Sequence, residues 1–294
     1  MGKRPPTRRE VLRGSAAVIA LSAIATGCAS RRPSEHAAAA KSETIPTIDP
    51  SLVRYSEAAL FAAGIPRPRG IALDDGQYIW VVGEGQGRRL PAAASAASAD
   101  ERVRFEGAAR CVAADRQRLL VGVEGKVLEV PRTGGPARTW LDAGPDAIIT
   151  CIAIGPDDVY VADAGGRKII RCDNNGKVRG FIGKKDPARS YAGLIVPSPH
   201  LDVAIGDDGA VHVTNPGSHL IEVFDSDGSL RWSWGESSEE IDGFCGCCNP
   251  TDIARFADGR YVTAEKGIPR VKIYTAEGHF ESVVAGPDQL SPGV

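Results

Sequence analysis

Helical periodicity is missing from most of this 294-residue chain. After Gly64 no segment keeps a 3.6-residue apolar repeat between capping residues, which excludes a helical bundle. Charge of either sign is not in excess. The net charge of −2 leaves neither a basic surface for nucleic acid nor an acidic tail, so no nucleic-acid partner is expected. Three enzyme signatures are absent as well: the Gly-x-Ser-x-Gly elbow, the His-Glu-x-x-His helix and the phosphate-binding Gly loop leading into a helix. A Ser-His-Asp set needs no closeness in sequence and stays open. No catalytic residue is assigned, and a non-enzymatic role is the preferred reading.

What the chain does have is 34 Gly and 20 Pro, with 43% hydrophobic residues and a single Met. That composition suits many short strands joined by tight turns. At its start, Thr7-Arg8-Arg9-Glu10-Val11-Leu12-Arg13 matches a twin-arginine export pattern, followed by an uncharged stretch from Gly14 to Gly27. That stretch is too short to span a membrane, which takes about 20 apolar residues. It ends in Ala25-Thr26-Gly27-Cys28, similar to a bacterial lipoprotein box, with Ala25 where Leu is usual. Residues 1–28 are thus expected to direct export across the cytoplasmic membrane, and lipidated Cys28 to anchor the mature chain to a membrane surface. Residues 29–50 are rich in Ala, Ser, Pro and charge and read as a flexible tether. Residues 51–294 form the folded body.

That body repeats. Arg69-Gly70-Ile71-Ala72, Arg110-Cys111-Val112-Ala113, Thr150-Cys151-Ile152-Ala153, Leu201-Asp202-Val203-Ala204 and Thr251-Asp252-Ile253-Ala254 align, with second positions spaced by 41, 40, 51 and 50 residues. Each is followed by a polar turn, a β-branched or aromatic run, a third run such as Lys168-Ile169-Ile170, a Gly turn and a fourth, more polar run. Four antiparallel strands every 40–50 residues describe the blade of a β-propeller, an all-β fold. Pro68-Arg69-Gly70-Ile71-Ala72, Val159-Tyr160-Val161-Ala162-Asp163 and Lys168-Ile169-Ile170 make the chain resemble NHL-repeat propellers. More narrowly, Asn215-Pro216-Gly217-Ser218-His219, the stretch from Gly243 to Pro250, and Glu265-Lys266-Gly267-Ile268-Pro269-Arg270-Val271 resemble a group of exported bacterial NHL proteins. The resemblance covers residues 53–290 and implies six blades. Five repeats are recognisable, and Val53-Arg54-Tyr55 is expected to be the outer strand of an incomplete sixth.

First strands line a propeller's channel. The aligned Gly70, Cys111, Cys151, Asp202 and Asp252 are therefore expected at one level around the axis. Two thiols and two carboxylates there fit either a ring of metal ligands, thiolate favouring a transition metal, or small packing residues with acids bound to backbone amides. Gly243-Phe244-Cys245-Gly246-Cys247-Cys248-Asn249-Pro250 is a loop between two blades. Three chemistries fit Cys245, Cys247 and Cys248: a metal knuckle recruiting Asp252, His200 or Cys111, a disulfide framework among the six cysteines other than Cys28, and a vicinal Cys247–Cys248 bridge. Asp163, Asn215 and Glu265 are expected to cap turns on the same face. Arg167, Lys168, His219, Lys266 and Arg270 are expected to form its basic binding surface. The favoured function is a binding or assembly module taking a protein partner or small ligand there. A metal or redox centre at the channel mouth is the alternative. A second alternative is a hydrolase resembling gluconolactonase, with a cation cage of Asp202, Asp252 and Asn249, although a matching Glu in the first blade is absent.

Overall fold

The structure, a computed structural model, describes residues 47–74, 78–92 and 100–290. The expected export signal with Arg8, Arg9 and Cys28 lies outside the described residues, as does the tether before residue 47. Each repeat folds into four antiparallel strands. The first holds β1 (Gly70–Asp74), β2 (Tyr78–Val82), β3 (Glu84–Pro91) and the leading half of β4 (Arg102–Ala114). The 13-residue β4 then runs on into the second unit, where its trailing half pairs with β5 (Arg118–Val123), followed by β6 (Lys126–Pro131) and β7 (Arg138–Asp142). The third unit is β8 (Ile149–Ile154), β9 (Val159–Asp163), β10 (Lys168–Cys172) and β11 (Val178–Ile182). The fourth is β12 (Val203–Ile205), β13 (Val211–Asn215), β14 (Leu220–Phe224) and β15 (Leu230–Trp234). The fifth is β16 (Asp252–Arg255), β17 (Tyr261–Glu265), β18 (Arg270–Tyr274) and β19 (Phe280–Ala285).

The sheets stand side by side, so their middle strands are buried on both faces and carry apolar residues at successive positions. In β9, Val159 and Val161 pack with Leu120, Val127 and Trp140 of the second unit. Tyr160 and Ala162 face the other way, toward Val211, Val213 and Phe224 of the fourth. Similar clusters join the first unit to the second through Trp80 and Val121, and the fourth to the fifth through Trp234, Tyr261 and Tyr274. The outer strands β11 and β15 are mostly exposed, which explains their more polar sequences.

Glycine is required where third and fourth strands turn back. Gly176 and Gly278 have φ of 84° and 85°, in the left-handed region that other residues avoid. A Cβ on Gly176 would lie 2.0 Å from the Trp140 carbonyl oxygen, and one on Gly278 would lie 2.5 Å from the Trp234 ring. The turn of one blade thus docks against a Trp of the blade before it. The Trp140 indole nitrogen fixes that contact by donating to the carbonyl of Asn174 at 3.1 Å.

The junction between the fifth and first blades differs from the other four. Val53, expected in a sixth blade, instead forms a parallel bridge with Val283, adding to the outer edge of the fifth. Arg54 donates its backbone N–H to the Val283 carbonyl at 3.1 Å, satisfying a group that an open sheet edge would leave unpaired. Tyr55 and Leu290 of the short helix α1 (Pro287–Leu290) pack on the free face of the fifth blade. Ala63 and Ile65 pack on the free face of the first. One strap of chain covers both apolar faces, and among the described residues no sixth four-stranded unit occurs.

Candidate functional site at the channel mouth

The five aligned positions do meet. Gly70, Cys111, Cys151, Asp202 and Asp252 all line one cavity of about 380 Å³, which His200, Arg69 and Arg110 line as well. Strand register explains why. Cys111, Cys151 and Asp252 stand opposite Gly122, Ala162 and Ala264, each one residue before the end of the second strand, and Asp202 pairs with Thr214 at the same place. A Cβ on Gly122 would come within 2.5 Å of the Cys111 sulfur, so the small partner makes room for the thiol.

Several of these side chains tie neighbouring inner strands together. Thr150 donates its hydroxyl to the Leu201 carbonyl at 2.6 Å, and the Cys151 thiol lies 3.5 Å from the Val203 carbonyl. Asp202 accepts the backbone N–H of Val203 at 2.9 Å and that of Ile253, in the next blade, at 2.8 Å. Enclosure sets their acidity. Burial, then the neighbouring Asp252 carboxylate, pushes Asp202 up to about 7. Asp252 is raised by burial, against a hydrogen bond from Thr251. Burial pushes Cys111 up to about 12 and Cys151 well above the ordinary thiol range, so both are held as neutral thiols at neutral pH. His200 is pushed down to about 4 by burial and by the Lys266 and Arg110 cations.

Beside this mouth stands the 243–251 loop, fixed from beneath by a buried ionic cluster. Lys272 is fully buried, 2.8 Å from a Glu265 oxygen, and donates to the Ile241 and Gly243 carbonyls at 3.0 and 2.6 Å. Tyr274 donates to the carbonyl between them, that of Asp242, at 2.9 Å. The second Glu265 oxygen accepts the Cys245 N–H at 3.2 Å and an Arg270 N–H at 2.6 Å. Lys272 itself is pushed down to about 8, burial outweighing the attraction of Glu265. Asn249 completes the fastening. Its amide donates to the carbonyls of Cys245 and Lys266 and accepts the Lys266 N–H at 2.9 Å. The Asn249-Pro250 peptide is cis.

Asp163, Asn215 and Glu265 end the second strands of three successive blades, and all three receive a backbone N–H from the loop entering their own blade. The donors are Ile148 at 3.0 Å, Ile195 at 2.9 Å and Cys245 at 3.2 Å. Only Asp163 also caps its adjacent turn, through Gly166 at 2.9 Å. A fourth-blade version of the Lys272 clamp exists, in which buried Glu222 accepts from Asn215 at 3.0 Å and from Tyr191 of the incoming loop at 2.6 Å.

The expected basic surface is divided. Arg167 is exposed, while Lys168 leans 3.4 Å from Asp163 and over the Phe181 ring. His219 meets the Gly246 carbonyl, and the Lys266 ammonium donates to the Ser198 hydroxyl at 2.9 Å. Arg270 is 4% exposed and belongs to the buried cluster under the loop, not to a rim. Lys272 and Tyr274, the loop's main anchors, carry no sequence signal beyond a polar residue in a β-branched strand.

The expected metal ligands fall into two groups. Cys111, Cys151, Asp202, Asp252 and His200 lie on the cavity wall, whereas Cys245, Cys247 and Cys248 lie in the loop at its edge. Among the described residues no three His, Cys, Asp or Glu side chains converge to hold a metal ion. The six described cysteines, Cys111, Cys151, Cys172, Cys245, Cys247 and Cys248, are free thiols. Asn249, expected in a cation cage, has both ends of its amide bound within the loop, which leaves the cage without its third member.

Cys247 and Cys248 differ from the channel thiols. Their sulfurs are 3.0 Å apart, Cys247 exposed and Cys248 only 3% exposed. Burial opposes ionisation of Cys248, but hydrogen bonds from Ser198 and Cys247 and the Lys266 ammonium together bring it below the usual thiol range. Cys247 is raised, chiefly by its bond to Cys248.

No protein-family model matches the chain, and no curated protein matches it. Solved structures do. A protein of unknown function from Bacteroides caccae aligns with 76% of this chain and 83% of its own, at 11% identity and a TM-score of 0.55. The β-propeller domain of Cps50 (Swd1) from Myceliophteria thermophila aligns with 75% of this chain and 72% of its own, at 11% identity and a TM-score of 0.52. Virginiamycin B lyase from Staphylococcus aureus covers 72% of this chain and 68% of its own, at 16% identity and a TM-score of 0.50. At such identities the likeness concerns the fold alone: the chain is a β-propeller.

Proposed function

We propose that this chain is an exported, lipid-anchored propeller of NHL type that works as a binding module. Its site would be the end of the channel flanked by the 243–251 loop. The observation that carries the reading is a cavity of about 380 Å³ lined by Asp202 and Asp252 together with Arg69, Arg110 and His200. That volume suits a small ligand, and convergent polar groups on an apolar wall are what orient one. The buried Glu265–Lys272 cluster supports the same reading, because a loop fixed from beneath is ordered before a ligand or protein partner arrives.

Thermal melting of wild type and Asp252→Asn against a set of small organic anions and polyols tests this. Compounds that raise the wild-type melting temperature and lose their effect in the variant support a channel-mouth site. Stabilisation that survives both Asp252→Asn and Arg110→Ala would sink it. The alternative, a thiolate-bound metal at the same mouth, replaces this reading if protein prepared without chelator keeps one metal ion per chain after dialysis.

A further inference from the structure

We propose that Cys247 and Cys248 form a thiol–disulfide exchange site that takes small-molecule disulfides, an activity separate from ligand binding in the channel. Four observations point there. The two sulfurs are 3.0 Å apart as free thiols, within reach of a bond after a small side-chain rotation. One sulfur is open to solvent and the other is enclosed, which assigns distinct tasks to them. The enclosed sulfur adjoins the Ser198 hydroxyl and the Lys266 ammonium, themselves joined at 2.9 Å, and such groups favour a thiolate. The backbone on either side is fastened, through Cys245 to Glu265 and through Asn249 to Lys266, so the pair keeps its geometry when a substrate arrives. Three of the other described cysteines offer no comparable arrangement: Cys111 and Cys172 are buried, and Cys151 faces the Val203 carbonyl.

The exposed Cys247 sulfur attacks one sulfur of the incoming disulfide. A new S–S bond forms as the old one breaks, and the departing thiolate takes up the proton that Cys247 releases. Cys248 then attacks the Cys247 sulfur of the mixed disulfide. The second substrate sulfur leaves as a thiolate, and a Cys247–Cys248 bridge remains. Two electrons have passed from the protein to the substrate, giving two thiols for one disulfide.

The aromatic disulfide dithiobis(nitrobenzoate) is a direct probe on the full chain, because each released thiolate is coloured. Trypsin isolates the loop cysteines from all others in one peptide, Trp232 to Arg255. In wild type the peptide should lose two hydrogen atoms and keep no adduct. In Cys248→Ser it should retain one nitrobenzoate adduct on Cys247. Cys247→Ser should slow modification of this peptide at least tenfold, whereas Cys245→Ser should leave the wild-type result unchanged. A wild-type peptide that keeps its adduct, or a bridge that disappears in Cys245→Ser, would overturn the proposal. Circular dichroism of each variant confirms that the propeller is intact. Channel binding can fail its own test while this one succeeds, since Asp252→Asn leaves both sulfurs in place.

Discussion

The Asp202 carboxylate accepts the backbone N–H of Ile253 at 2.8 Å, joining the inner strands of the fourth and fifth blades across the channel wall. The same carboxylate faces a second acid, Asp252, in an enclosed space. A group that fastens the ring is therefore also one that resists ionisation.

Stability should depend on pH accordingly. The pKa of Asp202 is raised in the folded state, from 3.8 to about 7, so between those values the folded chain holds a proton that the unfolded chain has released. Its contribution is greatest below pH 4 and declines as pH rises toward 7. Asp252→Asn removes the neighbouring charge and should lower the Asp202 pKa. The variant should melt above wild type near pH 8, with the gap closing toward pH 4, as calorimetry at the two pH values would read. An equal shift at both would contradict the pairing.

Lys272→Met should cost about 3–5 kcal/mol, because it leaves two loop carbonyls unpaired and one oxygen of buried Glu265 without its cation, Arg270 holding only the other. Adding Glu265→Gln takes the carboxylate from buried Arg270 and should deepen that loss. Urea unfolding measures the cost, and hydrogen exchange at residues 241–246 shows whether the loop loosens first.

Two glycines with nearly equal φ should respond differently to alanine. Gly134, at φ 87°, has nothing within 4 Å of an added Cβ, so Gly134→Ala should cost only the left-handed strain of about 1–2 kcal/mol. Gly278→Ala drives its methyl into Trp234 as well and should cost about 1–3 kcal/mol more. Equal losses in denaturant melts would show that the Trp234 contact yields freely.

The export proposal has its own readout. Replacing Arg8 and Arg9 with Lys should retain the chain in the cytoplasm, and Cys28→Ala should shift the exported chain from the detergent to the aqueous phase on detergent partitioning. Unchanged partitioning of the Cys28 variant would remove the lipid anchor.

Much of the blade pattern was legible because a blade is a local object. Its turns need Gly at fixed places, and its middle strands, buried on both faces, need successive apolar residues. The alignment of Gly70, Cys111, Cys151, Asp202 and Asp252 put them on one cavity wall for the same reason. Arg270 was read as a surface cation, because a charged residue beside a Gly-Ile-Pro turn gives no sign that a buried carboxylate lies opposite it. Lys272 gives no sign of its burial for the same reason. Asn249 resembled a cation ligand until the Cys245 and Lys266 backbones were seen to occupy its amide.

Sequence by itself determined the strand count of each blade, the turn positions and the ring of small and acidic residues, since each follows from local periodicity repeated five times. Only tertiary structure decided what covers the fifth and first blades, because Val53 and Val283 lie 230 residues apart and pair by meeting at an edge. It also decided which cations are buried, and that Cys247 faces solvent while Cys248 faces Ser198 and Lys266. Adjacent residues receive opposite environments there because the chain turns between them, and no composition or spacing encodes that turn.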